Sequence, residues 1–161
     1  MTVNEYNQCV DDFADGVYRF ILKNIKDEDN AHDIVQDAFA KMWEKVKDIS
    51  CEKSKSYLFT AAYHTMIDFI RKNKKLDHVD EFIGIEQEHE SSYSDLKEVL
   101  NEAVTRLPDI QRSVLLLRDY EGYSYKEIGE ITNLNESQVK VYIYRARIYM
   151  KNYLVSIDKV I

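Results

Sequence analysis

Residues 124–151 read SYKEIGEITNLNESQVKVYIYRARIYMK, and this stretch decides the fold of the C-terminal part of the chain. Ser124 followed by Glu127 is a capping-box pattern, which predicts that a helix begins there. Gly129 falls at the fifth position of that helix, where a crossing helix must approach closely, and Asn133 tolerates the left-handed backbone that the turn needs. Apolar residues would close the joint at the fourth, tenth and fifteenth positions: Ile128, Leu134 and Val139. The spacing predicts a helix-turn-helix, with a plain helical hairpin as the alternative.

The second helix of this pair has one apolar face and one basic face. Val139, Ile143, Ala146 and Met150 recur at intervals of four, three and four, which places them on one side of a helix. The other positions carry cations and hydrogen-bonding groups, which can contact bases and phosphates in a DNA major groove. A solvated charged helix face is the alternative. The candidate DNA-binding residues are Ser137, Gln138, Lys140, Val141, Tyr144, Arg145 and Arg147.

Outside this stretch, helical periodicity continues through most of the chain and no strand is readable. Three amphipathic segments occupy the N-terminal part, and Asp27 is suited to cap the second of them. A further amphipathic segment precedes Pro108, which marks the start of another helix. Periodicity fails in the acidic residues 76–94, which we interpret as a linker. We therefore expect an all-α fold of two small helical domains, residues 1–75 and 95–161.

The charge of the chain is unevenly distributed. Acidic side chains outnumber basic ones by 29 to 22, and the resulting net charge of -7 at first argues against a nucleic acid partner. Residues 53–75, however, carry six basic side chains and one acidic, and residues 136–161 carry five and two. Because salt screens Coulomb attraction beyond roughly 8–10 Å, such islands act locally. The net charge therefore does not exclude DNA binding at these two islands.

No pattern typical of an enzyme occurs in the sequence. Cys9 and Cys51 form no CxxC pair, the histidines show no metal-ligand spacing such as HExxH, and there is no Gly-rich phosphate loop. No apolar run is long enough to span a bilayer, and no secretory signal follows Met1. We therefore expect no catalytic residue, no metal site, no cofactor and no membrane insertion. A cytoplasmic location with reduced thiols fits this composition.

Two motif sets, one in each half of the chain, resemble the sigma-70 family of bacterial RNA polymerase sigma factors. In the C-terminal half, the resemblance to region four lies in residues 107–112, 120–128 and 139–147. In the N-terminal half, DIVQDAF at residues 33–39 resembles the region-two helix that docks on polymerase, and residues 57–71 resemble the adjacent promoter-melting helix. The length leaves no room for the extra regions of a housekeeping sigma factor, so the resemblance is to the extracytoplasmic-function (ECF) type.

The resemblance implies three partners: core RNA polymerase, promoter DNA and an anti-sigma factor. Polymerase would be contacted through Asp33, Gln36 and Asp37, while the opposite face of that helix packs in the core. The region-four recognition helix would read the upstream promoter element as duplex. The region-two helix would hold the non-template strand of the downstream element, which requires stacking surfaces and a phosphate track. The candidates for that role are Tyr57, Phe59, Tyr63, His64, Arg71, Lys72, Lys74 and Lys75.

Some positions depart from the family pattern. The family commonly has Trp where this chain has Tyr57, and Arg-Asn where it has Tyr63 and His64, so the downstream sequence preference is expected to differ. Core packing is the alternative role for Tyr57 and Phe59, and we expect Trp43 in the core. Two other functions remain open: a helix-turn-helix regulator that does not act as a sigma subunit, and a helical adaptor that binds only protein.

Overall fold

The computed structural model describes residues 1–77 and 96–160, and within these ranges the chain is helical without strands. A short 3-10 turn covers Cys51–Lys53, and a π-helical turn covers Leu116–Tyr120. The residues 78–94 of the predicted linker lie outside the described residues. No helix in the described ranges is long and apolar enough to cross a membrane. The helices are α1 Val3–Ile25, α2 Glu28–Glu44, α3 Ser54–Asp77, α4 Leu96–Arg106, α5 Asp109–Leu115, α6 Tyr125–Thr132 and α7 Glu136–Val160.

The N-terminal half is a bundle of α1, α2 and α3. The predicted cap of α2 is confirmed, because the Asp27 carboxylate accepts a hydrogen bond from the Asn30 N–H at 3.2 Å. Hydrogen bonds from the side chain and the backbone of Asn30 hold the pKa of the Asp27 carboxyl below its usual range. A capping box begins α1 at Thr2. The bundle buries one apolar face of each helix, with Phe20, Ile21, Met42, Leu58 and Met66 among the fully buried side chains.

The C-terminal half folds α4 and α5 against the helix pair α6 and α7. Pro108 lies at the N-cap of α5, one residue before the first helical position where such a proline is usual. The chain then continues through the π turn Leu116–Tyr120 and reverses at Gly122, which has a φ of 76°. The core of this half includes Leu116, Leu117, Ile128, Ile131 and Ile143.

The helix-turn-helix is present as predicted. Ser124 and Glu127 form a complete capping box at the start of α6, and the hydrogen bonds to Ser124 lower the pKa of the Glu127 carboxyl. Asn133 adopts the left-handed conformation, with φ 60° and ψ 40°. A Cβ atom at Gly129 would lie 2.6 Å from the carbonyl oxygen of Leu134, so a larger residue at this position would push the two helices apart.

The two halves share one continuous hydrophobic core. The sequence predicts two small helical domains, and one buried cluster connects them, running from Phe20 in α1 through Phe59 in α3 to Tyr123 and Ile128. Phe59 contacts Phe20 at 5.7 Å and Tyr123 at 5.3 Å between ring centroids. The core is continuous because the aromatic side chain of Phe59 in α3 packs against residues of both halves.

We expect Gly129→Ala to destabilise the protein by about 2 kcal/mol, because the added methyl group would collide with backbone rather than with a flexible side chain. Thermal unfolding of the full chain measures this. Glu130→Ala, an exposed change on the same helix, serves as the control and should leave the melting temperature nearly unchanged. Equal melting temperatures for the two variants would contradict the close approach.

Candidate nucleic-acid and polymerase surfaces

The N-terminal half of α7 presents its predicted DNA-binding residues on one solvent-facing surface. Val139, Ile143 and Ala146 are buried and anchor the helix to the domain. The face opposite them is open, and Tyr144 has 67% of its surface exposed. All seven candidates on this helix are exposed: Ser137, Gln138, Lys140, Val141, Tyr144, Arg145 and Arg147. We call this set the recognition face.

One member of the recognition face also caps its own helix. The Gln138 N–H donates to the Asn135 side-chain oxygen at 2.8 Å, and the Asn135 N–H donates to the Gln138 Oε1 at 3.0 Å. This reciprocal pair satisfies two backbone donors at the helix start. The side-chain Oε1 of Gln138 already accepts this hydrogen bond. The side chain can therefore offer its amide hydrogens to a base.

A tyrosine at the start of α6 organises the basic residues beside the recognition face. Two cations lie over the Tyr125 ring, with the Arg118 guanidinium 4.5 Å and the Lys140 ammonium 5.5 Å from the ring centroid. Arg147 donates to the Asp119 carboxylate at 2.6 Å, and this bond raises the pKa of Arg147. Sequence reasoning did not identify Tyr125, Arg118 or Asp119 as neighbours of this face, because their proximity depends on how the π turn and α6 pack against α7.

The basic end of α3 is exposed in part. His64, Arg71, Lys72 and Lys74 are exposed, while Tyr57 is half-buried with its hydroxyl 3.5 Å from the Lys41 carbonyl oxygen. The side chain of Lys75 lies outside the described residues. Lys74 forms a salt bridge with Asp109 of the C-terminal half.

Two of the aromatic side chains predicted to hold the non-template DNA strand are buried, whereas that role requires exposed rings. Phe59 is 1% exposed and Tyr63 is 5% exposed. The Tyr123 ring covers Phe59 edge-on. Burial, with a smaller effect of the Asp109 carboxylate, raises the pKa of the Tyr63 hydroxyl. In this conformation neither ring is available to stack on a base, because the C-terminal half lies over them.

The predicted polymerase-binding face lies on the exposed side of α2. Asp33, Gln36 and Asp37 are exposed. Asp37 pairs with Lys41 at 3.0 Å and accepts a hydrogen bond from Thr65 of α3 at 3.2 Å. An open groove runs between α2 and α3 on this side, lined by Asn30, Asp33, Ile34, Asp37, Lys41, Thr65, Asp68, Phe69 and Lys72.

The residues of α2 are otherwise buried or exposed as the sequence predicts, with one exception. Val35, Phe39 and Met42 are buried, as predicted for the opposite face. Trp43, expected in the core, is 47% exposed and rests on Tyr6 at 4.9 Å between ring centroids. The helix ends one residue after Trp43, so its indole reaches only the rim of the bundle.

Comparison with known proteins identifies the chain. A family model for sigma-70 region 2 matches residues 9–76, and one for sigma-70, region 4 matches residues 97–150. The RNA polymerase sigma factor SigV of Bacillus subtilis (strain 168) is 34% identical over 155 residues, covering 93% of this chain and 91% of SigV. The ECF RNA polymerase sigma factor SigM of the same organism is 32% identical over 156 residues, and the match covers 94% of each chain. This chain belongs to the ECF sigma factor family.

A solved structure shows the same fold. The sigma factor RpoE from Bartonella quintana, determined in complex with the anti-sigma factor NepR, superposes with a TM-score of 0.76. The match covers 94% of this ECF chain and 98% of that one, at 24% identity. It therefore supports the arrangement of helices in both halves.

The described residues contain no group of three or more His, Cys, Asp or Glu side chains that could hold a metal ion. Cys9 is buried and Cys51 is exposed, and both are free thiols. The described residues present a basic face on α7, an acidic face on α2 and a basic end on α3.

We expect Asn135→Ala to destabilise the protein by about 1 kcal/mol, because it removes the side-chain cap of α7. Chemical denaturation followed by circular dichroism measures the change. Ser137→Ala, an exposed change two residues further on, is the matched control. The same denaturation midpoint in both variants would contradict the role of the cap.

Proposed function

We propose that the protein is an ECF sigma factor that binds core RNA polymerase and directs promoter-specific transcription initiation. The observation that carries this function is the presence of both sigma regions, in order, in a chain that aligns with SigV over 93% of its length. The exposed recognition face supplies the DNA-reading surface that this function requires. Polymerase supplies the chemistry of RNA synthesis, so the sigma subunit contributes binding and positioning, within the cytoplasm where promoters and polymerase are found.

The division of labour follows the two halves of the chain. Residues 1–75 bind core polymerase and melt the downstream promoter element, and residues 95–161 read the upstream element, with residues 76–94 as the connection. The recognition face suits duplex DNA because Lys140 and Arg145 are exposed cations and Tyr144 and Val141 offer apolar contact to thymine methyl groups. An anti-sigma factor is part of this proposal, as the structure of Bartonella RpoE contains one.

On α3, five of the eight residues proposed to hold the non-template strand fall into two groups, one exposed and one buried. His64, Arg71 and Lys72 are exposed and can contact bases and phosphates directly. Phe59 and Tyr63 can act only after the C-terminal half moves away from α3. The proposed function therefore requires a second arrangement of the two halves on polymerase.

A helix-turn-helix regulator without a sigma role is the competing function. It accounts for the recognition face but leaves the region 2 match at residues 9–76 unexplained. Purified chain mixed with core polymerase separates the two. A sigma factor co-elutes with core and produces promoter-specific transcripts, whereas failure of both would exclude the sigma function.

We expect Arg145→Ala to weaken upstream DNA binding by the holoenzyme and to reduce the slope of log K against log salt by about one, because one exposed cation leaves the phosphate or base contact. Lys47→Ala removes the same charge from an exposed position in the N-terminal half and should leave the slope unchanged. A slope unaffected by Arg145→Ala would place the DNA elsewhere.

We expect Asp33→Lys to weaken binding to core polymerase by about fivefold, because it reverses a charge on the acidic face of α2 that would meet basic residues. Competition for core against a labelled wild-type chain measures this. Glu44→Lys makes the same change at the exposed end of the helix and should compete like wild type. Equal competition by both variants would remove Asp33 from the polymerase interface.

A further inference from the structure

The packing of the N-terminal half brings the two cysteines of the chain together. Cys9 lies in α1 and is buried, whereas Cys51 is exposed in the 3-10 turn before α3. This turn contacts α1 directly. The sequence contains no other cysteine. Any reaction between thiols of one chain is therefore confined to this pair.

The hydroxyl of Ser54 links the two cysteines. It accepts a hydrogen bond from the Cys9 thiol at 3.1 Å and donates one to the Cys51 carbonyl oxygen at 2.7 Å. The Ser54 N–H donates to the same carbonyl oxygen, so two donors hold the backbone of Cys51. Ser54 is the first residue of α3 and is buried. The turn is therefore held against α1 at the position of Cys51.

The Cys51 thiol also meets side chains of α1. The Cys9 thiol and the Glu5 carboxylate both lie within hydrogen-bonding reach of it. Loss of hydration raises the pKa of the Cys51 thiol, and these two neighbours raise it further. Because the thiolate is the nucleophile, a raised pKa slows the reaction of Cys51 at neutral pH. We therefore expect the pair to stay reduced unless an oxidant is in excess.

The two thiols differ in their access to solvent. Cys51 is exposed, so a small oxidant can reach its sulfur. Cys9 is 3% exposed, and its sulfur lies 3.7 Å from the Met1 Sδ, which shields it. An accessible thiol beside a second, resolving thiol is the arrangement of a reversible oxidation site. Cys51 is placed to react first and Cys9 to react second.

We propose that Cys9 and Cys51 form a reversible oxidation site, at which an intramolecular disulfide joins α1 to the turn before α3. The oxidant is a low-molecular-weight disulfide, which Cys51 meets at the surface. Disulfides in the cytosol are usually transient and redox-sensing, because the thiol pool there is kept reduced. The site is separate from the recognition face and from the acidic face of α2, so it goes beyond the proposed function.

The oxidation proceeds by two exchanges. The Cys51 thiol loses its proton to the medium, and the thiolate attacks one sulfur of the small disulfide. That S–S bond breaks, and one small thiolate leaves. Cys9 then loses its proton to the medium and attacks the Cys51 Sγ, which expels the second small thiolate. The two cysteines give up two electrons, and the small disulfide is reduced to two thiols.

The disulfide fastens the N-terminal half where α3 begins. It closes a loop that contains all of α2, since α2 lies between the two cysteines in the chain. A cross-link of this kind reduces the conformational freedom of the unfolded chain and so favours the folded state. Proteases that cut the transiently opened chain then find less of it. Oxidation therefore lengthens the lifetime of the folded protein.

Mass spectrometry of the intact full chain tests whether the disulfide forms. After excess oxidised glutathione at about pH 8.5, where a free thiol is partly ionised, we expect the loss of two hydrogen atoms and no retained glutathione. Dithiothreitol should reverse this change, and peptide mapping should join the peptides of Cys9 and Cys51. Glutathione retained on Cys51 beside a free Cys9 would overturn the proposal, as would two unmodified thiols.

Single substitutions separate the roles of the two thiols. Cys9→Ser keeps a hydroxyl that can donate to Ser54 but removes the second thiol, so we expect this variant to retain one glutathione on Cys51. Cys51→Ser changes an exposed position, which keeps the fold intact, and Cys9 should then stay unmodified over the same time. Rapid modification of Cys9 in the Cys51→Ser variant would contradict the order of the two exchanges.

Thermal unfolding and proteolysis measure the consequence. We expect the oxidised wild-type chain to melt at least about 5 °C above the reduced chain and to be cleaved by thermolysin at least about threefold more slowly. Cys51→Ser, treated in the same way, should show neither change. An oxidised chain that melts at or below the temperature of the reduced chain would overturn the proposal. These measurements use neither polymerase nor DNA, so their failure leaves the sigma function standing.

Discussion

Helix α3 must bury two faces at once, and the arrangement of the whole molecule depends on how it does so. Leu58, Ala62 and Met66 belong to the core that α3 shares with α1 and α2. Phe59 extends that core to Tyr123 in the C-terminal half. Large aromatic side chains contribute most of their free energy through buried area. A helix that carries aromatics outside its bundle face therefore needs either a second domain or a bound ligand to cover them.

The distribution of acidic and basic residues divides the surface of the molecule into regions of different charge. None of the acidic residues behind the net charge of -7 belongs to the recognition face, on which Lys140 and Arg145 are exposed. Where acidic and basic residues meet, they join the halves, as Arg19 does with Glu121 and Lys74 with Asp109. Because these pairs are partly exposed, each contributes modestly to stability, and together they select one orientation of the halves.

The features that sequence reasoning predicted depend on residues close in the chain. The caps at Asp27 and Ser124, the left-handed Asn133 and the small Gly129 each follow from hydrogen bonds or contacts within about one helical turn of their position. The exposed recognition face follows from helical periodicity. The burial of Phe59 and Tyr63 and the exposure of Trp43 did not follow, because they depend on where distant helices pack.

The amino-acid sequence by itself determined the helices, their caps, the helix-turn-helix and membership of the ECF sigma family, because all of these depend on local spacing of residue types. The tertiary structure alone decided that Phe59 and Tyr63 are buried and that Trp43 is exposed. Arg19 and Glu121 are 102 positions apart, and nothing in the periodicity around either one indicates that they meet. Contacts at that separation depend on the collective burial of several helices, so only the folded chain shows that its C-terminal half covers the aromatic face of α3.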